Sequence, residues 1–462
     1  MKYFVFLITF SLLISTLAEA NFLEKNLERL QWGNTEVIFL KDDSLPIYEV
    51  KIYFADGALN DKGKYGLTQM MFDLVDTGTD RYSHQEISDH LDFFAVNFSA
   101  MVLHEYSVFS YSGLTKDLVP TSKMMCHLFH NTQYPEYLVE NYSTRKKVSL
   151  NSLRSRHSSL IQRVFRGVLF KGTPYEKPSD GMINSISKIT KKDLKQQLDY
   201  FMTKVKKKIY IQGPKNILGQ VKDIFQKDCQ FEKSKSEVRM VESFEKKSNN
   251  FPHIYFVPVE KANQIQIMYG DFRVTSKDEK TVKRVDEDLE KFASNIVSGG
   301  FNSIFFQELR EKRGYIYSSM ATTGWQRDYG RSTMSTFTKN ENIVDVLKTI
   351  QSSIATNENF LNKERFSMFQ KQEKGNFLFR IESKSNLFSQ VVYRDHLSKS
   401  IDSIFQYPDK IEKVKRKDMV QIIKDTFGVG KLQLMLLGDK KVLKTLKKHF
   451  PNVTIVDSNK YL

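Results

Sequence analysis

The sequence has little of what marks the specialised protein classes. Two cysteines in 462 residues cannot staple a disulfide scaffold. Ten prolines and 21 glycines are too few for a collagen-like or low-complexity chain. After the first twenty residues, no apolar run approaches the roughly 20 residues that a membrane-spanning helix needs. Acidic residues are outnumbered: 54 Asp plus Glu stand against 70 Lys plus Arg, which leaves a formal charge of +16. Aromatics are abundant instead. The 35 Phe and 21 Tyr supply enough apolar surface for large cores and exclude a disordered chain. The length suits two to four domains at about 100–200 residues each.

The first twenty residues carry a separate message. Lys2 provides a positive start, Tyr3 to Leu17 an apolar stretch, and Ala18-Glu19-Ala20 a small-x-small cleavage site. This pattern predicts a signal peptide over 1–20 and a mature chain that begins at Asn21 and is exported, periplasmic or secreted. Export removes the nucleic-acid reading of the charge. The lysine clusters, such as Lys206 to Lys208, lack the interleaved aromatics of a strand-binding groove and read as solvated faces. In an oxidising compartment Cys126 and Cys229 can pair, or Cys126 can stay a buried thiol; both readings stand. Cys126, His127 and His130 share a helix-like run, but no third and fourth metal ligand accompanies them, so a satisfied helix is the simpler reading.

An internal repeat organises the chain. Ile189 to Leu194 and Val414 to Met419 each open an amphipathic helix. Each helix leads to a β-rich run that ends at glycine, Lys208 to Gly213 and Leu432 to Gly438. The offsets agree, 418 − 193 = 225 and 438 − 213 = 225. The halves also begin alike: a strand at Ile47 to Phe54 precedes a helix at Tyr65 to Val75, and a strand at Asn263 to Tyr269 precedes a helix at Asp288 to Val297. The charged stretch between the halves reads as a linker. The expected organisation is a signal peptide 1–20, a domain 21–230, a linker 231–250 and a domain 251–462. The fold class is α+β: two homologous α/β-sandwich domains in tandem, each a mixed, mostly antiparallel sheet with helices on one face.

These residues resemble the pitrilysin/insulinase family of zinc metallopeptidases over nearly the whole mature chain. The resemblance rests on Lys64-Tyr65-Gly66-Leu67 and Thr77-Gly78-Thr79 in the first half. In the second half it rests on Gly299-Gly300-Phe301-Asn302-Ser303 and the run from Phe306 to Ser318. Active members carry H-x-x-E-H just after the position of Gly66-Leu67. Two histidines one helical turn apart bind zinc there, and the glutamate is the general base. This chain has Gln69-Met70-Met71-Phe72-Asp73 instead. Gln69 and Asp73 replace the histidines and Phe72 replaces the base. Asn151 and Ser152 stand where the distant third ligand belongs. An amide and a hydroxyl are poor zinc ligands and a phenyl ring accepts no proton, so no metal site is expected in this chain.

The second half retains more. The resemblance implies that Arg310 and Tyr317, seven residues apart, reach a bound substrate, and that Gly299 and Gly300 line the cavity. A guanidinium can donate to peptide carbonyls and a phenol can stabilise an oxyanion. The expected function is that of an exported non-catalytic, substrate-binding subunit of a heterodimeric zinc metallopeptidase. The zinc-motif-bearing partner would supply the zinc, its ligands and the base. Arg310 and Tyr317 would act in trans on the peptide substrate. The alternatives are a stand-alone peptide- or protein-binding scaffold on the same fold and, last, an active zinc peptidase with unusual ligands. Neither a nucleic-acid partner nor a membrane span is expected.

Overall fold

The computed structural model describes residues 25–231, 254–274, 286–450 and 452–462. The signal peptide and nearly all of the expected linker lie outside the described residues.

The strands are β1 (Leu27–Trp32), β2 (Thr35–Lys41), β3 (Ile47–Phe54), β4 (Asn97–Val102), β5 (Ser107–Leu114), β6 (Lys207–Gly213), β7 (Ile254–Pro258), β8 (Gln264–Val274), β9 (Ile316–Trp325), β10 (Tyr329–Lys339), β11 (Gln433–Gly438) and β12 (Val453–Ile455). They form two six-stranded sheets, ordered β1-β2-β6-β3-β5-β4 and β12-β7-β11-β8-β10-β9. The sheets are mixed and mostly antiparallel. In the first, only β2 and β6 run parallel. In the second, β7 runs parallel to both β11 and β12. The repeat seen in the sequence is thus a repeat of topology. β2, β6, β3, β5 and β4 occupy the places of β7, β11, β8, β10 and β9. The outer strands β1 and β12 break it, one coming from the start of the chain and the other from its end.

The helices that matter here are α1 (Leu67–Asp73), α2 (Leu118–Asn131), α3 (Glu136–Asn151), α4 (His157–Leu169), α5 (Lys191–Thr203), α6 (Glu287–Ser298), α7 (Lys384–His396) and α8 (Arg416–Phe427). Alternation sends Val50, Ile52 and Phe54 of β3 into one core with α1, α2 and α5. In the second half, α6 and α8 join Ile265, Ile267 and Tyr269 of β8 in the corresponding core. Local capping fixes α5: Thr190 and Asp193 form a reciprocal capping box at its start. A disulfide between Cys126 on α2 and Cys229, with Cα atoms 4.6 Å apart, ties the end of the first half to its centre. This settles the question the sequence left open.

Each sheet also has a second face, and each half covers that face for the other. From the first half, α4 crosses the inner face of the second sheet. Leu160, Val164, Phe165 and Val168 pack on Met268, Phe272, Met435 and Leu437. A side chain at Gly270 would meet the Phe165 ring at 2.8 Å, so a glycine lets the helix come this close. From the second half, α7 lies over the first sheet. Phe388, fully buried, sits edge-on to Tyr210 at 6.2 Å. Asp395 accepts from Lys208 at 2.8 Å. Beside them is a buried polar cluster drawn from both halves. Arg327 donates to the Tyr53 hydroxyl at 3.0 Å, and that hydroxyl lies 2.8 Å from Nδ1 of His396. The Arg327 backbone N–H donates to Glu105 at 2.9 Å. Burial holds His396 below the usual imidazole range, so it accepts from Tyr53 as a neutral ring.

Candidate functional site

α1 carries the positions where a peptidase of the resembled family binds metal. Its start is firmly fixed. Gly66 has φ +96°, and a side chain there would meet the Gly181 Cα at 2.7 Å. Asp61 accepts from the backbone N–H of Gly66 at 2.7 Å, and from the N–H and hydroxyl of Thr68 at 3.0 and 2.7 Å. Burial pushes the Asp61 carboxyl up to about 6, and those hydrogen bonds restrain the rise.

Gln69 and Asp73 lie one turn apart on the same face, as the sequence implies, but they bind each other. The Gln69 amide donates to Asp73 at 2.7 Å, and the other Asp73 oxygen accepts from the Tyr142 hydroxyl of α3 at 2.6 Å. Tyr142 is the partner that sequence reasoning missed; nothing local to α3 signals it. Phe72 points inward. It is 1% exposed, and its ring lies 5.4 Å from Phe54, 5.5 Å from Phe201 and 6.1 Å from Phe109. Ser152 follows α3 and is engaged elsewhere. Its hydroxyl donates to the Ser149 carbonyl at 2.7 Å and accepts from Arg156 at 2.9 Å.

These residues do not fit a catalytic zinc. One amide and one carboxylate are already bonded to each other and to a phenol, and the place of the base is filled by core hydrocarbon. Among the described residues, no group of three or more His, Cys, Asp and Glu side chains is arranged to hold a metal. The Cys126 thiol is consumed in the disulfide. His130 pairs with the Cys229 carbonyl at 2.7 Å, and His127 with Thr79 at 3.0 Å.

The second-half residues form a unit of their own. Arg310 closes a π-helical turn, Phe306–Glu311, and Tyr317 stands near the start of β9. The Arg310 guanidinium lies 4.8 Å from the Tyr317 ring and 4.9 Å from the Phe306 ring, and it donates to the Tyr317 carbonyl at 2.9 Å. Tyr317 is 69% exposed, and its hydroxyl has no partner among the described residues. Gly299 caps α6 and Gly300 follows at φ +131°; both are exposed.

The fold and site define a class: a two-sheet α+β protein with the layout of the resembled peptidases, whose helix α1 carries Gln69, Phe72 and Asp73 at the motif positions. Comparison with known proteins agrees. Residues 186–373 match the family described as peptidase M16 inactive domain. A curated relative, "Non-peptidase homolog YmxG" of Helicobacter pylori (strain ATCC 700392 / 26695), is 20% identical over 431 residues, which cover 90% of this chain and 94% of that protein. The crystal structure of a peptidase M16 inactive domain from Pseudomonas fluorescens superposes with a TM-score of 0.78 at 16% identity, covering 90% of this chain and 98% of that one. The periplasmic protease PqqL from Escherichia coli gives 0.68 at 12% identity; the match covers 91% of this chain but 48% of that one. The pitrilysin/insulinase resemblance drawn from the sequence holds, and residues 186–373 match the inactive M16 kind. Among the described residues, no helix is long and apolar enough to cross a membrane.

Proposed function

We propose that this chain is the exported, non-catalytic, substrate-binding subunit of a two-chain zinc metallopeptidase. A partner subunit bearing H-x-x-E-H provides the zinc and the general base. The observation that carries this reading is a contrast. The metal positions Gln69, Phe72 and Asp73 are absorbed into internal bonding and core, while Tyr317 stays exposed beside Arg310 with its hydroxyl free. A free phenol on a rigid strand suits hydrogen bonding to a peptide held by another subunit. Export is supported by the pattern of residues 1–20, by the buried Cys126–Cys229 disulfide, which suits an oxidising compartment, and by the periplasmic description of PqqL. The divisions at 21–230 and 251–462 belong to the same proposal.

Co-expression with an H-x-x-E-H relative encoded nearby tests it. The expected result is a 1:1 complex with chelator-sensitive peptidase activity. Tyr317→Phe should lower kcat about 100- to 1,000-fold with assembly intact, the range seen when one oxyanion donor is removed. Unchanged kinetics overturn the role of Tyr317, and absence of any complex overturns the subunit reading. One observation favours the second reading, a stand-alone binding scaffold: Arg310 is already occupied by the Tyr317 carbonyl and two rings. On that reading the complex would not form, yet the chain would still bind peptides.

A further inference from the structure

α4 covers β8 and β11 but leaves the β9–β10 end of the second sheet's inner face open. A cavity of about 420 Å³ remains there, within the roughly 300–1,000 Å³ of typical ligand sites. Its charge is one-sided. Arg163, Arg166 and Arg331 line it against a single carboxylate, Asp180. Asp180 is already held by Arg163 at 2.7 Å and approached by Lys146 at 3.6 Å. Arg163 further donates to the carbonyls of Tyr461 and Gly181.

The other two arginines have no carboxylate partner among the described residues. Arg166 is pre-positioned by His104. Its Nη2 donates to Nδ1 of His104 at 2.9 Å, while Nε2 of that ring lies 2.7 Å from the Lys177 carbonyl. A guanidinium only donates and a carbonyl only accepts, so the tautomer is fixed: the proton is on Nε2. Burial, with Arg166 beside it, pulls His104 down to about 3, so the ring stays neutral and keeps its Nδ1 lone pair for Arg166. Nε of Arg166 is buried without a hydrogen-bond partner. Arg331 lines the same cavity as Arg166, so two cations without a carboxylate partner among the described residues share its wall.

We infer that this cavity binds a carboxylate borne by an extended peptide, clamped between Arg166 and Arg331. The rest of the wall fits that occupant. Phe165, Met268 and Met320 can take the aliphatic stem of an acidic side chain, and Ser159 and Ser335 add polar side chains to the lining. Met320 and Thr322 belong to β9, an edge strand with no outer neighbour among the described residues. Its unpaired backbone can receive a peptide strand whose side chain then enters the cavity. The inference rests on the peptide-handling reading above and names the substrate class as acidic.

The test uses the purified full chain and a fluorescein-labelled, doubly blocked pentapeptide, Thr-Val-Glu-Val-Thr, against its Glu→Gln twin. The Glu peptide should bind roughly 10- to 100-fold more tightly, as charge-assisted bonds to two guanidiniums imply. Arg331→Gln should bring that ratio close to one with an unchanged melting temperature, since Arg331 holds no carboxylate of its own; Arg331→Lys should keep part of it. Equal binding of the two peptides overturns the inference, as does no measurable binding or a ratio that survives Arg331→Gln. Displacement of the Glu peptide by equimolar inorganic phosphate would assign a free-anion site and also overturn it. The subunit reading is judged separately. A chain that prefers the acid but has no partner sinks that reading alone, and an active complex indifferent to carboxylates sinks this inference alone.

Discussion

Restoring the peptidase motif should unfold the first half rather than create an enzyme. The perturbation is Gln69→His, Phe72→Glu and Asp73→His together. Phe72 sits at 1% exposure among three phenylalanine rings, and truncating such a ring costs about 3–5 kcal/mol. A glutamate in that hole must also bury a carboxyl without a partner, roughly 1–3 kcal/mol more. Losing the Gln69–Asp73–Tyr142 hydrogen bonds adds about 1 kcal/mol each. The sum, about 6–10 kcal/mol, is comparable to the whole stability of a typical domain, about 5–15 kcal/mol. At roughly 2–4 °C per kcal/mol, the melting temperature should fall by more than 10 °C or the transition should vanish. The double variant Gln69→His/Asp73→His, with Phe72 kept, should lose only a few degrees and hold no stoichiometric zinc, because two ligands do not make a site. Differential scanning fluorimetry and zinc analysis after dialysis read both. A triple variant that melts within a few degrees of the wild type and retains one zinc would falsify the argument that this helix has become structural.

Two further outcomes follow from other parts of the chain. The disulfide closes a loop of 103 residues, for which chain-entropy arguments give about 5 kcal/mol; Cys126→Ser should lower the urea midpoint accordingly, and an unchanged midpoint would show that the bond constrains nothing. His104 gives a pH dependence. Its folded value is about 3 against about 6.5 unfolded, so the unfolded chain binds more protons in that window. Its contribution is therefore full above pH 6.5 and is lost as pH falls toward 3, by several kcal/mol. Asp61, raised to about 6 from 3.8, works in the opposite sense: its contribution is full below 3.8 and is lost as pH rises through 6. In denaturant melts, His104→Asn should flatten the loss of stability on acidification, and an identical pH slope would remove the assignment.

What could be read from the sequence, and what could not, follows the range of the interactions. β6 and β11 were legible because alternation and a terminal glycine are local, and their 225-residue offset announced the repeat. That Gln69 and Asp73 share one face of α1 was legible because helical spacing is local. That Asp73 would be held by Tyr142 was not, since helix packing brings together residues 69 positions apart. Neither was the arginine cavity, whose members Arg166 and Arg331 come from opposite halves. The amphipathic pattern of α4 shows that one face is buried, but periodicity does not say against which sheet.

The crossing of α4 and α7 also governs when this protein can become itself. Ile38, Leu40, Tyr53 and Tyr210 of the first sheet belong to a core completed by Phe388 of α7. Along the growing chain, the strands up to Gly213 exist long before Lys384 emerges. Until then the earlier sheet has a bare apolar flank and nothing of its own to put there. That flank therefore stays uncovered until the last fifth or so of the polypeptide is made. Shortened versions ending before α7 should be caught by chaperones or lost to aggregation, however well their own strands are paired.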